Sequence, residues 1–119
     1  MAPDLDELYA VLLQWVAAGE PRTYGDLSRD YQSRTGDRFE PHGSWDHPLG
    51  ALNDRLARAG APALSSLVIL QGENEPGAGF WASAANVPRR PDDEQSRLAE
   101  WNRILREVFA FKWPRHLPG

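Results

Sequence analysis

At 119 residues, with a net charge of −4 and 41% hydrophobic content, the chain has the size and apolar share of one domain with a single sizeable core. It contains no Cys, which excludes disulfide staples, thiolate metal sites and cysteine nucleophiles. No apolar run approaches the ~20 residues that span a bilayer, and the acidic start has no basic leader, so the expectation is a cytoplasmic protein.

Asp4 has the character of an N-cap, and Leu5, Leu8, Tyr9, Leu12, Leu13 and Val16 follow at helical spacing. This stripe predicts a first helix, stopped by Ala17-Ala18-Gly19. Thr23 with Asp26 three residues on predicts a capping box for a second helix, whose apolar face is Tyr24, Leu27 and Tyr31. Residues 33–46 are polar and rich in Gly, Pro and His, which predicts a long loop. A third helix starts between Asp46 and Pro48, turns Leu49, Leu52 and Leu56 inward, and ends at Gly60.

Leu64 to Leu70 is β-rich and nearly continuous in apolar residues, the pattern of a buried strand. Gln71 to Gly79 reads as a turn, with Phe80-Trp81 beginning a return strand. After a linker bounded by Pro88 and Pro91, Asp92 caps a last helix with the face Leu98, Trp101, Ile104, Leu105 and Val108. Phe109, Phe111 and Trp113 carry the apolar surface on to the C-terminus. The order helix-helix-helix-strand-strand-helix predicts a single α+β domain over residues 1–119, of the winged helix-turn-helix type.

Thr23-Tyr24-Gly25-Asp26-Leu27, then Gly50-Ala51-Leu52-Asn53, then the Pro62 strand start resemble the winged-helix domain of alkylguanine-DNA alkyltransferases and alkyltransferase-like proteins. The resemblance covers about half the chain. It implies a winged helix, a phosphate contact for Tyr24, and a position near His47 for the Arg that fills the space of a flipped base. The family's Pro-Cys-His-Arg acceptor is absent: Ser65-Ser66-Leu67-Val68 stands in its place, so the resemblance carries no alkyl transfer.

The charge is unevenly distributed. Asp4, Asp6, Glu7 and Glu20 hold the whole excess of −4, while residues 22–60 and 61–119 are each balanced. Affinity for phosphate backbone grows with the Lys and Arg presented, so indiscriminate nucleic-acid binding is not expected. The leading expectation is a non-catalytic protein that binds duplex DNA, with the third helix in the major groove. Asn53, Arg55 and Arg58 are the side chains suited to base edges, and an ordinary solvated helix face accounts for them equally. Arg22 and Tyr24 would meet phosphate at the start of the second helix, with His47 at the start of the third.

Other residue groups carry weaker chemistry. His42, Asp46 and His47 fall within six positions but lack a dedicated metal spacing; a Pro/Gly loop with Asp46 as a helix cap accounts for them, and no metal or cofactor is expected. Ser65 and Ser66 lie beside a buried strand without a Gly-x-Ser-x-Gly frame, where bonds to backbone explain their hydroxyls. Asp92-Asp93-Glu94 suits the first turn of a helix. Trp15 and Trp101 lie on helical stripes, whereas Trp45 and Trp81 either pack onto the core or stack on a ligand. The rival to DNA binding is a protein-interaction module or adaptor on the same scaffold, forming a homodimer or binding a partner protein through the last helix and its tail. A tail folded back over the core explains the same residues. A small enzyme built on the His42 to His47 loop is a third reading.

Overall fold

The computed structural model of the protein describes residues 3–38 and 45–118. Helix α1 (Leu5–Ala18) begins where the Asp4 carboxylate accepts the N–H groups of Asp6 and Glu7. It ends at Gly19, whose φ of 77° places it in the left-handed conformation that closes a helix. Strand β1 (Arg22–Thr23) leads straight into α2 (Tyr24–Thr35). The predicted capping box is present: Thr23 Oγ1 accepts the Asp26 N–H at 3.1 Å, and Asp26 Oδ2 accepts the Thr23 N–H at 3.1 Å. Helix α2 runs past residue 33 to Thr35, so the predicted loop begins later than its composition suggested. Residues 39–44, and with them His42, lie outside the described residues.

Helix α3 (Asp46–Arg58) buries Pro48, Leu49, Leu52, Asn53 and Leu56. Trp45, not Asp46, is its N-cap residue, and no side chain caps it. Asp46 therefore does not cap the helix as expected; it is the first helical residue, where a carboxylate favours the helix dipole. Helix α4 (Glu94–Ala110) is capped by Asp93 rather than Asp92, with Asp93 Oδ1 accepting the Ser96 N–H at 2.7 Å. Two hydrogen bonds from Ser96 hold the Asp93 carboxyl below its usual range.

The segment predicted as a strand from Leu64 to Leu70 is mostly a 3-10 turn (Leu64–Leu67), with strand β2 limited to Val68–Ile69. β2 pairs with β1 in parallel, Arg22 opposite Val68 and Thr23 opposite Ile69. The expected antiparallel hairpin with Phe80-Trp81 is not what pairs this strand. Residues Ala78–Phe80 form a second 3-10 turn. A parallel pair needs a crossover, and here α2 and α3 supply it. The architecture is thus α+β: four helices with a two-stranded parallel sheet.

One core joins these elements. Leu8, Leu12, Trp15, Leu27, Leu52, Leu56 and Leu64 are all fully buried, and the α4 face predicted from Trp101, Ile104, Leu105 and Val108 is buried with them. A radius of gyration of 13.2 Å agrees with the ~13.5 Å of a compact chain this long. The C-terminal tail folds back on this core. Tyr9 donates its hydroxyl to the Pro114 carbonyl at 2.6 Å, and Trp113 meets Tyr9 edge-on at 6.3 Å. Trp113 Nε1 donates to the Val108 carbonyl, and Leu117 is buried. No helix among the described residues is long and apolar enough to cross a membrane.

Candidate functional site

Helix α3 carries most of the predicted contact residues, and the fold separates them. Asn53 is 0% exposed. Its Nδ2 donates to Ser65 Oγ at 2.6 Å, and its Oδ1 accepts the Ser65 N–H at 3.4 Å. As folded, Asn53 ties α3 to the 3-10 turn and does not reach a base edge. Arg55 is half-buried and donates to the Pro118 carbonyl at 3.2 Å, so the tail covers it. Arg58 is exposed and reaches Asp54 at 3.4 Å across one helical turn. His47 is exposed at the start of the helix. His47, Ala51, Asp54 and Arg58 follow an i, i+4, i+7, i+11 spacing and so form one outward stripe.

At the start of α2, Tyr24 is only 6% exposed. Burial raises the pKa of its hydroxyl, and the Asp46 charge raises it further, against a hydrogen bond from the Gly77 N–H that lowers it. As folded, the Tyr24 hydroxyl is engaged by the Gly77 N–H at the start of α2. Arg22 lies over the Trp15 ring at 5.9 Å and faces Glu20 at 3.4 Å and Asp30 at 3.5 Å. Trp15 Nε1 donates to the same Asp30.

The glycine-rich segment expected to close a hairpin instead crosses the first turns of α2 and α3. A Cβ on Gly79 would lie 2.7 Å from Asp46 Oδ2, and one on Gly77 would lie 3.2 Å from Tyr24 Oη. These glycines permit close backbone approach. Beneath them Tyr24, Asp46, Ser65 and Ser83 converge on a hollow of about 10 Å³, water-sized at most.

Both loop tryptophans pack inward. Trp45 is fully buried, donates to Ser28 Oγ at 2.8 Å and meets Tyr31 edge-on at 5.5 Å. Trp81 is buried against Phe80 at 5.1 Å. Ser65 Oγ accepts from Asn53 rather than bonding to backbone, and Ser66 Oγ is buried without a partner among the described residues. Those residues also hold no group of three or more His, Asp or Glu arranged for a metal ion.

A second concave surface escaped the sequence reading. Between the C-terminal end of α3, residues 82–88 and the last turns of α4 runs an open groove of about 690 Å³. Pro62, Ala85, Pro88, Ala110 and Phe111 line it, together with Asn86 and the Arg103–Glu107 ion pair. Asn86 Nδ2 donates to the carbonyls of Asn53 and Ala61, at 3.3 and 3.1 Å, which fixes the 82–88 segment to α3. The linker prolines gave a signal for a rigid wall here, read only as a boundary. No protein-family model, curated protein or solved structure matches the chain.

Proposed function

We propose that the chain is a non-catalytic DNA-binding domain of the winged-helix type that presents α3 to duplex DNA. One observation carries the reading: α3 buries one side and turns outward a stripe with His47 and Arg58 at its ends. Between them Ala51 on the stripe and Gly50 at its edge are small enough to permit close approach to a groove. Arg58 is the principal contact, exchanging Asp54 for a base edge or phosphate. Arg55 joins it where the tail releases its guanidinium, and Arg22 flanks the start of α2. The order of three helices followed by a strand supports the winged-helix assignment, with the 70–81 arm in the place of the wing.

The test is fluorescence anisotropy of a labelled duplex with the full chain at two salt concentrations. Arg58→Ala is expected to weaken binding about fivefold or more and to reduce the salt slope by about 1. Binding that is absent at low salt, or unchanged by Arg58→Ala and His47→Ala together, removes the proposal. The alternative reading, a protein-interaction module, is narrowed where the apolar tail docks on the core, and keeps the outer face of α4, where Phe109 is exposed. It keeps the groove at the other end of α3 from His47.

A further inference from the structure

We propose that the C-terminal tail makes a phosphate-backbone contact of its own, with Arg115 and His116 holding duplex DNA beside the face that α3 presents. The inference rests on the reading of α3 as the DNA-facing helix and gives the tail a part that reading does not use.

The tail is pinned on both sides of these two residues. Before them, the Pro114 carbonyl accepts the Tyr9 hydroxyl of α1 at 2.6 Å. After them, Leu117 is buried and the Pro118 carbonyl accepts the Arg55 guanidinium of α3 at 3.2 Å. Residues 115–116 thus form a short bend that bridges α1 and α3. Anchors at both ends remove backbone freedom that binding would otherwise have to freeze. At ~3.6 Å per residue, Arg115 lies within ~11 Å of Pro118 and so close to the C-terminal half of α3.

Arg115 and His116 are exposed, and among the described residues neither has an ion pair or a side-chain hydrogen bond. Arg115 supplies a charge and His116 an N–H donor beside it, both suited to phosphate oxygens. Three guanidiniums, Arg55, Arg58 and Arg115, stand against one carboxylate, Asp54, where α3 meets the tail. On the α1 side Asp6, one turn before Tyr9, is exposed and unpaired among the described residues, which turns the attractive side of the bend toward α3. A helix ~10–12 Å across fills a major groove ~12 Å wide, so what flanks the helix meets phosphate walls rather than bases. Half-buried Arg55 marks such a flank, three residues before exposed Arg58. While Arg55 stays on Pro118, the tail offers the DNA a cation in its stead.

An acidic protein segment fits this surface less well. Leu117 is buried and Trp113 packs on Tyr9 and Phe111, so the bend offers charge without an open apolar pocket to anchor a side chain.

The experiment measures anisotropy of a fluorescein-labelled duplex, in two unrelated sequences, with the full chain at two salt concentrations. The double substitution Arg115→Gln and His116→Gln is expected to weaken binding about fivefold for both sequences and to reduce the salt slope by about 1. Arg115→Lys keeps a point charge and is expected to bind within about twofold of wild type. Both positions are exposed, and melting temperatures establish that the variants fold. Should the double variant melt early, Arg115→Gln against Arg115→Lys makes the comparison at one position. Binding that falls with Arg58→Ala but not with the double variant overturns the tail contact and leaves the role of α3 standing, whereas no binding at low salt removes both. A loss confined to one sequence overturns the phosphate assignment, as does an equal loss in Arg115→Lys and Arg115→Gln. Displacement of the duplex by a poly-glutamate peptide at equal charge concentration points to a protein partner and overturns it too.

Discussion

The sharpest consequence of the fold concerns Asn53, whose side-chain type offered it as a base-reading residue and which the structure buries. Asn53→Ala removes the amide that satisfies Ser65 Oγ at 2.6 Å and the Ser65 N–H at 3.4 Å. Both atoms belong to a residue that is itself buried, so water does not replace the lost bonds. A buried polar group left unpaired costs about 1–3 kcal/mol. The Ser65 hydroxyl takes the upper part of that range and its long N–H bond the lower. Together with the small cavity, the expected loss is about 3 kcal/mol. For a chain of this length, unfolding entropy near 2.1 cal/mol/K per residue turns this into a fall in Tm of roughly 10 °C.

Urea unfolding of Asn53→Ala, Ser65→Ala and the double variant measures it. Ser65→Ala removes the hydroxyl but leaves Asn53 Nδ2 a long contact to Ser83 Oγ at 3.5 Å, so its cost is smaller. The double variant should recover about 1 kcal/mol relative to the sum of the singles, because the pair shares one bond. Arg58→Ala is the contrast: its exposed pair with Asp54 contributes about 0.5 kcal/mol or less. The reasoning fails if Asn53→Ala stays within about 0.5 kcal/mol of wild type at unchanged slope. It fails equally if that variant keeps its stability and selectively loses duplex binding.

Three further outcomes follow from other contacts. Gly79→Ala should cost about 1 kcal/mol or less, since its Cβ would stand 2.7 Å from Asp46 Oδ2 but the exposed carboxylate can swing aside; a urea midpoint showing a loss of about 3 kcal/mol would contradict this. For Asp26, burial raises the pKa, but the hydrogen bonds from Thr23 and the Arg29 charge outweigh it and hold the carboxyl below its usual value. Its stabilising effect is therefore complete above the unfolded value of about 3.9 and is lost as pH falls through the lower folded value. Melting curves of wild type and Asp26→Asn should converge in that acid window, and a constant gap down to the acid limit would count against the capping box. Removing residues 112–119 should lower stability by about 2–4 kcal/mol by uncovering Tyr9, which is 1% exposed. Light scattering should then show a monomeric full chain and an association-prone truncation; a dimeric full chain would restore the tail as an interface.

The helices were legible because their signals are local. The Thr23–Asp26 box, the Leu49–Leu52–Leu56 stripe and the Trp101–Val108 face each fall within a few turns of chain. The strand pairing was not, because β2 finds Arg22–Thr23 across two intervening helices and no local pattern announces a partner that distant. Gly77 and Gly79 misled for a related reason: a glycine needed for close approach reads the same as one needed for a turn until its neighbour is known. Asn53 differs, since its burial was written in the sequence. It stands four residues after Leu49 and three before Leu56, inside the apolar stripe, and its polarity outweighed its position. Tyr24 likewise shares the inner face with Leu27 and Tyr31. On a domain this small, side chains free to meet a ligand are those left after the core, caps and ion pairs have taken theirs. Among the described basic side chains that subtraction leaves His47 on α3, with Arg58 held only by an exposed pair, and Arg38, Arg89, Arg90, Arg106, Lys112, Arg115 and His116 elsewhere.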